Sequence, residues 1–374
     1  MTTARAITPS STRFSPIRPS PPTPGSEATV PSDGRPAVPP FAVITGAQVQ
    51  HALRGREKDI VAVIENAYRL HGSGASVDPP SCFLRFPDRP TARIIALPAS
   101  VGGDVQVEGV KWISSFPENV AASIPRASAV LILNDHTTGY PFACLESSVI
   151  SATRTAASAA AADWLSRDRP RPVRIGFFGA GLIARYIHTF LEGTGWSFDE
   201  IGVHDLAASS SAGFRLYLEQ AGATGRVTVH STAEELIRQS DLVVFATVAG
   251  APHVLEPSWF ARHPLVLQVS LRDLAPQVLL TATSIVDDVA HCLRAATSPH
   301  LTEQLTGNRD FLDGTLDDVM SGRVGVPAGR TAVSSPFGLG VLDLAVGSYV
   351  YDEVARTGEL RTIDGFFHEL RRYG

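Results

Sequence analysis

The chain has 374 residues, 44% of them hydrophobic and 18% charged, with 32 basic against 37 acidic side chains and a formal net charge of −5. That length allows one to three domains and a large core, and so even a charge balance argues against a partner made of nucleic acid or a membrane surface. No apolar run approaches the ~18 to 20 residues of a spanning helix, and the scattered Cys82, Cys144 and Cys292 argue against a disulfide scaffold, a structural zinc or a redox motif. Only Lys58 and Lys111 among the basic residues are lysines.

Residues 1–40 hold 10 of the 27 prolines among Ser, Thr and Gly. Such a segment buries too little apolar surface to offset its ordering entropy and reads as a disordered tail. Its Arg, Ser and Thr content resembles a transit peptide, but proline at this density opposes the amphipathic helix such peptides form. It has no apolar stretch suited to secretion, so the expected location is the cytoplasm. Beyond Phe41, Ile60, Val63, Ile64, Ala67, Tyr68 and Leu70 recur at helical spacing. Short strand-like runs follow at Cys82–Phe86, Arg93–Leu97, Gly109–Ile113, Ala129–Asn134 and Phe142–Glu146. The polar segment 135–140 predicts that the last two pair as a hairpin, in a curved antiparallel sheet. Ala-rich Ser147–Leu165 predicts a helix ended by Pro170 and Pro172.

After Pro172 strand and helix alternate. The predicted strands are Val173–Phe178, Glu200–Asp205, Val227–His230, Leu242–Ala246, Leu265–Ser270 and Ser284–Asp287. Alternation of this kind predicts an α/β fold with a doubly wound parallel sheet. A last helix, Gly338–Thr357, stands apart from it. The expected organisation is a Rossmann domain (170–325) inserted into an α+β substrate-binding and dimerisation domain (41–165 with 330–374).

Gly179-Ala-Gly-Leu-Ile-Ala184 joins a buried-looking strand to a helix. Gly179 permits the tight turn, and Gly181 lets the amides of Leu182 and Ile183 approach a pyrophosphate at the helix N-terminus. Ala184 stands where a third glycine often does. Asp205 ends the next strand, where a carboxylate binds ribose hydroxyls and repels a 2′-phosphate. With no arginine beside it, the expected cofactor is NAD. Thr247 and Val248, after the strand Leu242–Ala246, are further cofactor-binding candidates.

Lys111 and Arg154 lie among apolar residues, and Arg85 and Arg93 lie in or beside strands of the same domain. Burial of a cation costs several kcal/mol unless an anion meets it. The four therefore point either to carboxylates of a ligand or to local pairing with Glu108, Glu146 or Asp88.

RIIALP (93–98), Gly102-Gly103, GVKWI (109–113), LILND (131–135) and the GAGLIA loop settle the choice. Over everything past residue 40 the chain resembles the ornithine cyclodeaminase/μ-crystallin family. Its branch of strongest resemblance is the N-(2-amino-2-carboxyethyl)-L-glutamate dehydrogenases, which make 2,3-diaminopropionate for siderophores and peptide antibiotics. The resemblance implies that Arg85, Lys111 and Arg154 clamp a substrate carboxylate, with Lys111 at the catalytic centre and Arg93 close by. It also implies that Thr155 faces the cofactor phosphates and that Asp273 is the catalytic acid–base. Ornithine cyclodeaminases carry a glutamate where this chain has Ile95, a difference that disfavours a free side-chain amine and suits a substrate with an additional carboxylate.

The implied reaction oxidises the glutamate–diaminopropionate conjugate to 2-oxoglutarate and 2,3-diaminopropionate with release of NADH. The alternatives are ornithine cyclisation to proline, ketimine or imino-acid reduction, and a crystallin-like binding role. The resemblance further implies a homodimer joined through the first domain's sheet, with Phe142–Glu146 and the last helix at the interface. None of the 11 histidines has metal-ligand spacing, so no metal is expected; His136 and His253 read as surface or turn residues.

Overall fold

The computed structural model describes residues 38–368, apart from the side chains of residues 160–162. All of the expected tail but 38–40 lies outside the described residues. Two sheets lie within one compact unit that begins at Pro39. The first is built from β1 (Phe41–Ile44), β2 (Ser76–Val77), β3 (Cys82–Phe86), β4 (Arg89–Val101), β5 (Val107–Ser115), β6 (Ala127–Asp135) and β7 (Pro141–Glu146). Strands β4 to β7 are antiparallel neighbours, as short connections require. Strand β1 runs parallel to β7, while β2 and β3 both pair with β4. The hairpin expected at 135–140 forms: Leu131 lies opposite Leu145, and Asp135 accepts from the amide of Thr138 (2.8 Å) in the turn.

Alternation gives this sheet two unlike faces. Val107, Gly109, Lys111, Leu131, Leu133, Ala143 and Leu145 share the inner face. It is covered by the helix Gly340–Arg356, whose residues from Gly340 to Gly347 are all buried. Glycine allows the close approach: a Cβ on Gly109 would strike the Ile132 carbonyl and Leu344, and one on Gly347 would strike Leu131. The last helix, a candidate for the subunit interface, buries its first half (Gly340–Gly347) entirely, whereas from Ser348 to Arg356 only Val350 and Val354 are buried.

The second sheet contains β8 (Arg174–Phe178), β9 (Glu200–His204), β10 (Arg226–Val229), β11 (Leu242–Phe245), β12 (Leu265–Gln268), β13 (Thr283–Val286), β14 (Leu312–Thr315) and β15 (Ala332–Ser335). Every pairing is parallel, in the order β10-β9-β8-β11-β12-β15-β13-β14. Strands β11, β12 and β13 are buried throughout, which is why they read as unbroken apolar runs. Chain order reverses between β8 and β11, the crevice in which such sheets hold their ligands. Strand β15 falls inside the 330–374 segment expected in the first domain, yet it pairs between β12 and β13. The chain therefore leaves the parallel sheet only after Ser335. Finally, β16 (Thr362–Ile363) returns to pair with β1.

Candidate active site

At the β8–β11 crevice Gly179 adopts φ +83°, and a Cβ there would strike the Ala246 carbonyl. Both constraints require glycine. The other loop glycine, Gly181, is the N-cap of the helix Leu182–Gly193, has no side-chain cap, and has no atom within 4 Å of where a Cβ would stand. Unpartnered first-turn amides thus face open space, the arrangement that receives a phosphate. Leu182 is exposed, Ile183 half-buried, and Ala184 fully buried where the helix packs on the sheet. Asp205 accepts from the amides of Ala180 (2.9 Å) and Ala207 (2.8 Å), so it also braces the glycine loop. The donor set fits a dinucleotide with a free ribose diol. Val248 is exposed at the end of β11, but the Thr247 hydroxyl donates to Asp273. Thr155 donates to the Ser151 carbonyl (2.7 Å) within its own helix, Ser148–Ala160.

Lys111 and Arg154 are brought together, on a residue that sequence reasoning missed. Lys111 is 2% exposed, and its Nζ lies 2.5 Å from the Asp343 carboxylate. Arg154 Nε donates to the other Asp343 oxygen (3.4 Å). Asp343 lies in the first turn of its helix, where the helix dipole favours a negative charge. Burial pushes the Lys111 ammonium down to about 8, against the pull of Asp343. Two cations on one carboxylate leave an excess positive charge. Local pairing with Glu108, Glu146 or Asp88 does not occur: Glu108 holds His136 (2.6 Å), Glu146 accepts from the amides of Ser148 and Val149, and Asp88 pairs with Arg89.

The expectation of apolar surroundings fails for Arg85, which is exposed on β3 and lies over the ring of Phe83 (5.1 Å). Strand β3 pairs only with β4, so its side chains face solvent. Arg85 lies opposite Arg93, whereas Lys111 lies opposite Leu97, four residues further along β4. At ~3.3 Å per residue that offset is about 13 Å along the strand.

Asp273, after β12, is fully buried. One of its oxygens accepts from Thr247 and from His253 Nε2 (3.0 Å), and the other accepts from Ser270. Burial pushes its carboxyl up, but the bonds from His253, Ser270 and Thr247 outweigh that and hold it below the usual range. It is therefore an ionised base whose exposed neighbour is His253, 40% accessible. The turn role read for His253 is thus incomplete; nothing local ties residues 20 apart.

A second charged cluster bridges the two sheets. His71, on the helix Glu57–Gly72, meets Asp288 (3.2 Å), which follows β13; Asp288 also meets His291 (3.0 Å). Asp78 lies 3.5 Å from His291 and accepts from the Gly340 amide (3.0 Å) at the start of the last helix. The bond to Asp288 raises the pKa of both His71 and His291 despite burial, and Asp288 is held far below the usual carboxylate range. Burial pushes Asp78 up to about 6.

A parallel sheet with this glycine loop and its paired acid, next to a buried cationic clamp, defines a dinucleotide-dependent oxidoreductase. The chain belongs to the Ornithine cyclodeaminase/mu-crystallin family, whose pattern matches residues 42–358. It is 28% identical to the N-((2S)-2-amino-2-carboxyethyl)-L-glutamate dehydrogenase of Staphylococcus aureus, over 82% of this chain and 93% of that protein. The crystal structure of CmnK superposes with TM-score 0.78 at 27% identity, covering 87% of this chain and 99% of that one. The Thermococcus litoralis Delta(1)-pyrroline-2-carboxylate reductase, solved with NADH and L-proline, has the same fold (TM-score 0.79, 20% identity, 86% and 100% coverage). No helix among the described residues is long and apolar enough to cross a membrane.

Two outcomes follow from these charges. Asp343→Asn leaves buried Lys111 without its carboxylate and should lower the unfolding free energy by about 3–5 kcal/mol in urea titrations. Lys111→Met combined with Asp343→Leu should recover most of that loss; a deficit under ~1 kcal/mol in the single variant would contradict the pairing. For the bridging cluster, raised histidine pKa values mean stabilisation that is complete below pH ~6.5 and lost as pH rises through the folded-state values. Melting temperature should therefore fall as pH rises above ~6.5, starting while Lys111, at about 8, still holds most of its proton. His71→Gln should flatten that slope, and an unchanged slope would remove the cluster from the account.

Proposed function

We propose that the protein is an NAD-dependent dehydrogenase that oxidatively cleaves N-(2-amino-2-carboxyethyl)-L-glutamate. The proposed balance is conjugate, NAD+ and water giving 2-oxoglutarate, 2,3-diaminopropionate, NADH and a proton. Its place would be the cytoplasm, supplying a siderophore or peptide-antibiotic route. The observation that carries this reading is the sign of the charge on the inner sheet face. Lys111 and Arg154 share one carboxylate, Arg85 and Arg93 stand further along, and β3, β4 and β5 put no acid on that side. Ile95 lies on this face too, so it offers a substrate's free amine no counter-ion. The likeness to the Staphylococcus aureus dehydrogenase supports the same substrate.

NAD, bound along Gly179, Gly181, Leu182, Ile183, Asp205, Thr155, Thr247 and Val248, supplies the hydride acceptor. Lys111 and Arg154 hold the α-carboxylate of the glutamate unit, which fixes the substrate and makes the reaction effectively unimolecular. Asp273 works through His253 because its own oxygens are covered: the imidazole takes the proton of the amine or of the attacking water, and Asp273 orients the ring and stabilises the resulting cation, as a buried carboxylate does in hydrolytic triads. The homodimer would form through the sheet's outer face, where Trp112 and its cross-strand partner Val130 are 44% and 39% exposed.

Mixing protein, NAD and the conjugate should give NADH, read by its absorbance, in step with 2-oxoglutarate. Lys111→Met should lower kcat/KM about a hundredfold or more with NAD affinity unchanged, and KM should climb above pH ~8 as Lys111 loses its charge. Proline from ornithine without net NADH would instead identify a cyclodeaminase. Light scattering on a sizing column should give twice the chain mass, and Trp112→Glu should give the monomer. A monomeric parent protein would refute the interface.

A further inference from the structure

The inner face carries a second group of cations, away from the Lys111 pair. Arg93 on β4 lies opposite Arg85 on one side and Ser115 on the other. Arg126 reaches back from the loop before β6 and donates to the Ser115 hydroxyl (2.8 Å), which sets its guanidinium beside Arg93. From the other sheet comes Arg272, next in sequence to Asp273. Its Nη2 donates to the Ala295 carbonyl (2.8 Å), while its Nε is buried without a partner. Ala295 and Ala296 both take φ +53°, a conformation alanine avoids, in the turn that presents this carbonyl.

None of these arginines is in an ion pair among the described residues; their contacts are a hydroxyl, a carbonyl and, for Arg85, an aromatic ring. Like charges drawn together in half-buried surroundings repel, and the arrangement is unfavourable until an anion enters. Arg93 registers this directly: burial, then Arg126, Arg85 and Arg272, all push its pKa down, with no acid opposing them. The buried Nε of Arg272 is a donor without an acceptor, an unfavourable arrangement that a bound carboxylate would relieve.

We propose that Arg93, Arg126 and Arg272 form a second carboxylate-binding pole, which takes a distal carboxylate of the substrate and selects di- and tricarboxylates over monocarboxylic amino acids. This rests on the reading that the first carboxylate is held at Lys111 and Arg154. The offset of about 13 Å along the strand, shortened by the reach of the arginine and lysine side chains from both ends, leaves a gap suited to a five-carbon diacid. A pole contributed by both sheets also ties recognition to their closure. Arg272 cannot meet the anion without bringing Asp273 with it.

The test is binding to the full chain loaded with NADH, with glutarate and butyrate as probes in calorimetric titrations. Glutarate should bind at least tenfold more tightly than butyrate. Arg126→Gln and Arg272→Gln should each cut that ratio about tenfold or more, with butyrate and NADH affinities unchanged. Equal binding of the two acids to the unaltered protein would overturn the proposal, and needs no variant to fold. So would variants that weaken both acids alike. If the conjugate is oxidised but the ratio is indifferent to Arg126 and Arg272, the second pole is wrong and the dehydrogenase reading stands. If the ratio collapses in the variants while the conjugate gives no NADH, the pole is right and serves another dicarboxylic amino acid.

Discussion

The ion pair between Lys111 and Asp343 is the contact on which the rest of the structure turns. It joins the middle of a sheet to the last helix, across 232 residues, in surroundings from which water is excluded. Taking both charges out of water costs several kcal/mol each, and a pair of apolar side chains of similar volume would hold the helix as well or better. Stability alone does not account for it. Its physical consequence is the charge left over once Arg154 joins: a positive site in low-dielectric surroundings, where an incoming carboxylate is attracted far more strongly than at an exposed lysine.

The same contact couples the two sheets. The chain leaves β15, passes Phe337 and Gly338, and enters the last helix. Asp287, at the end of β13, accepts from both of those amides (3.0 and 2.7 Å). Gly338 has φ +95°, and the Arg154 guanidinium lies against it in the space a Cβ would fill. One segment is thus the exit from the parallel sheet, the wall of the cationic clamp and the approach to Asp343. The histidine–aspartate cluster joins the sheets again at Asp78, which holds the first amide of that helix. Movement of one sheet against the other must pass through these bonds.

What the sequence made legible was local. A glycine loop, the acid that braces it and the strand before it lie within about 30 residues of one another, and each is dictated by backbone geometry. Cations in apolar runs stood out for the same reason. Asp343 carries an equivalent signal in Gly340-Val-Leu-Asp-Leu-Ala345, an acid stranded among apolar residues just as Lys111 and Arg154 are. Strands β14 and β15 are four residues each, with neither alternation nor a long apolar run, so only their pairing defines them. Arg85 misled because edge position decides exposure, and edge position is a property of the whole sheet. The pairing of His253 with Asp273 depends on a loop folding back over β12, which no spacing encodes.

The positions of Arg272 and Asp273 carry the physical argument one step further. Consecutive residues of one loop supply Arg272, which donates to the Ala295 carbonyl and whose charge reaches Arg93 on the first sheet, and Asp273, which is bonded to His253. Three donors keep that carboxylate ionised even though it is fully buried. Its hydrogen-bond partners are Thr247, Ser270 and His253, and no arginine is among them. On the proposed reading, the anion that Arg272 helps to receive is bound by the residue next to the carboxylate that orients His253. Recognition and proton transfer would then share one short piece of backbone, and a shift of that loop would alter both together.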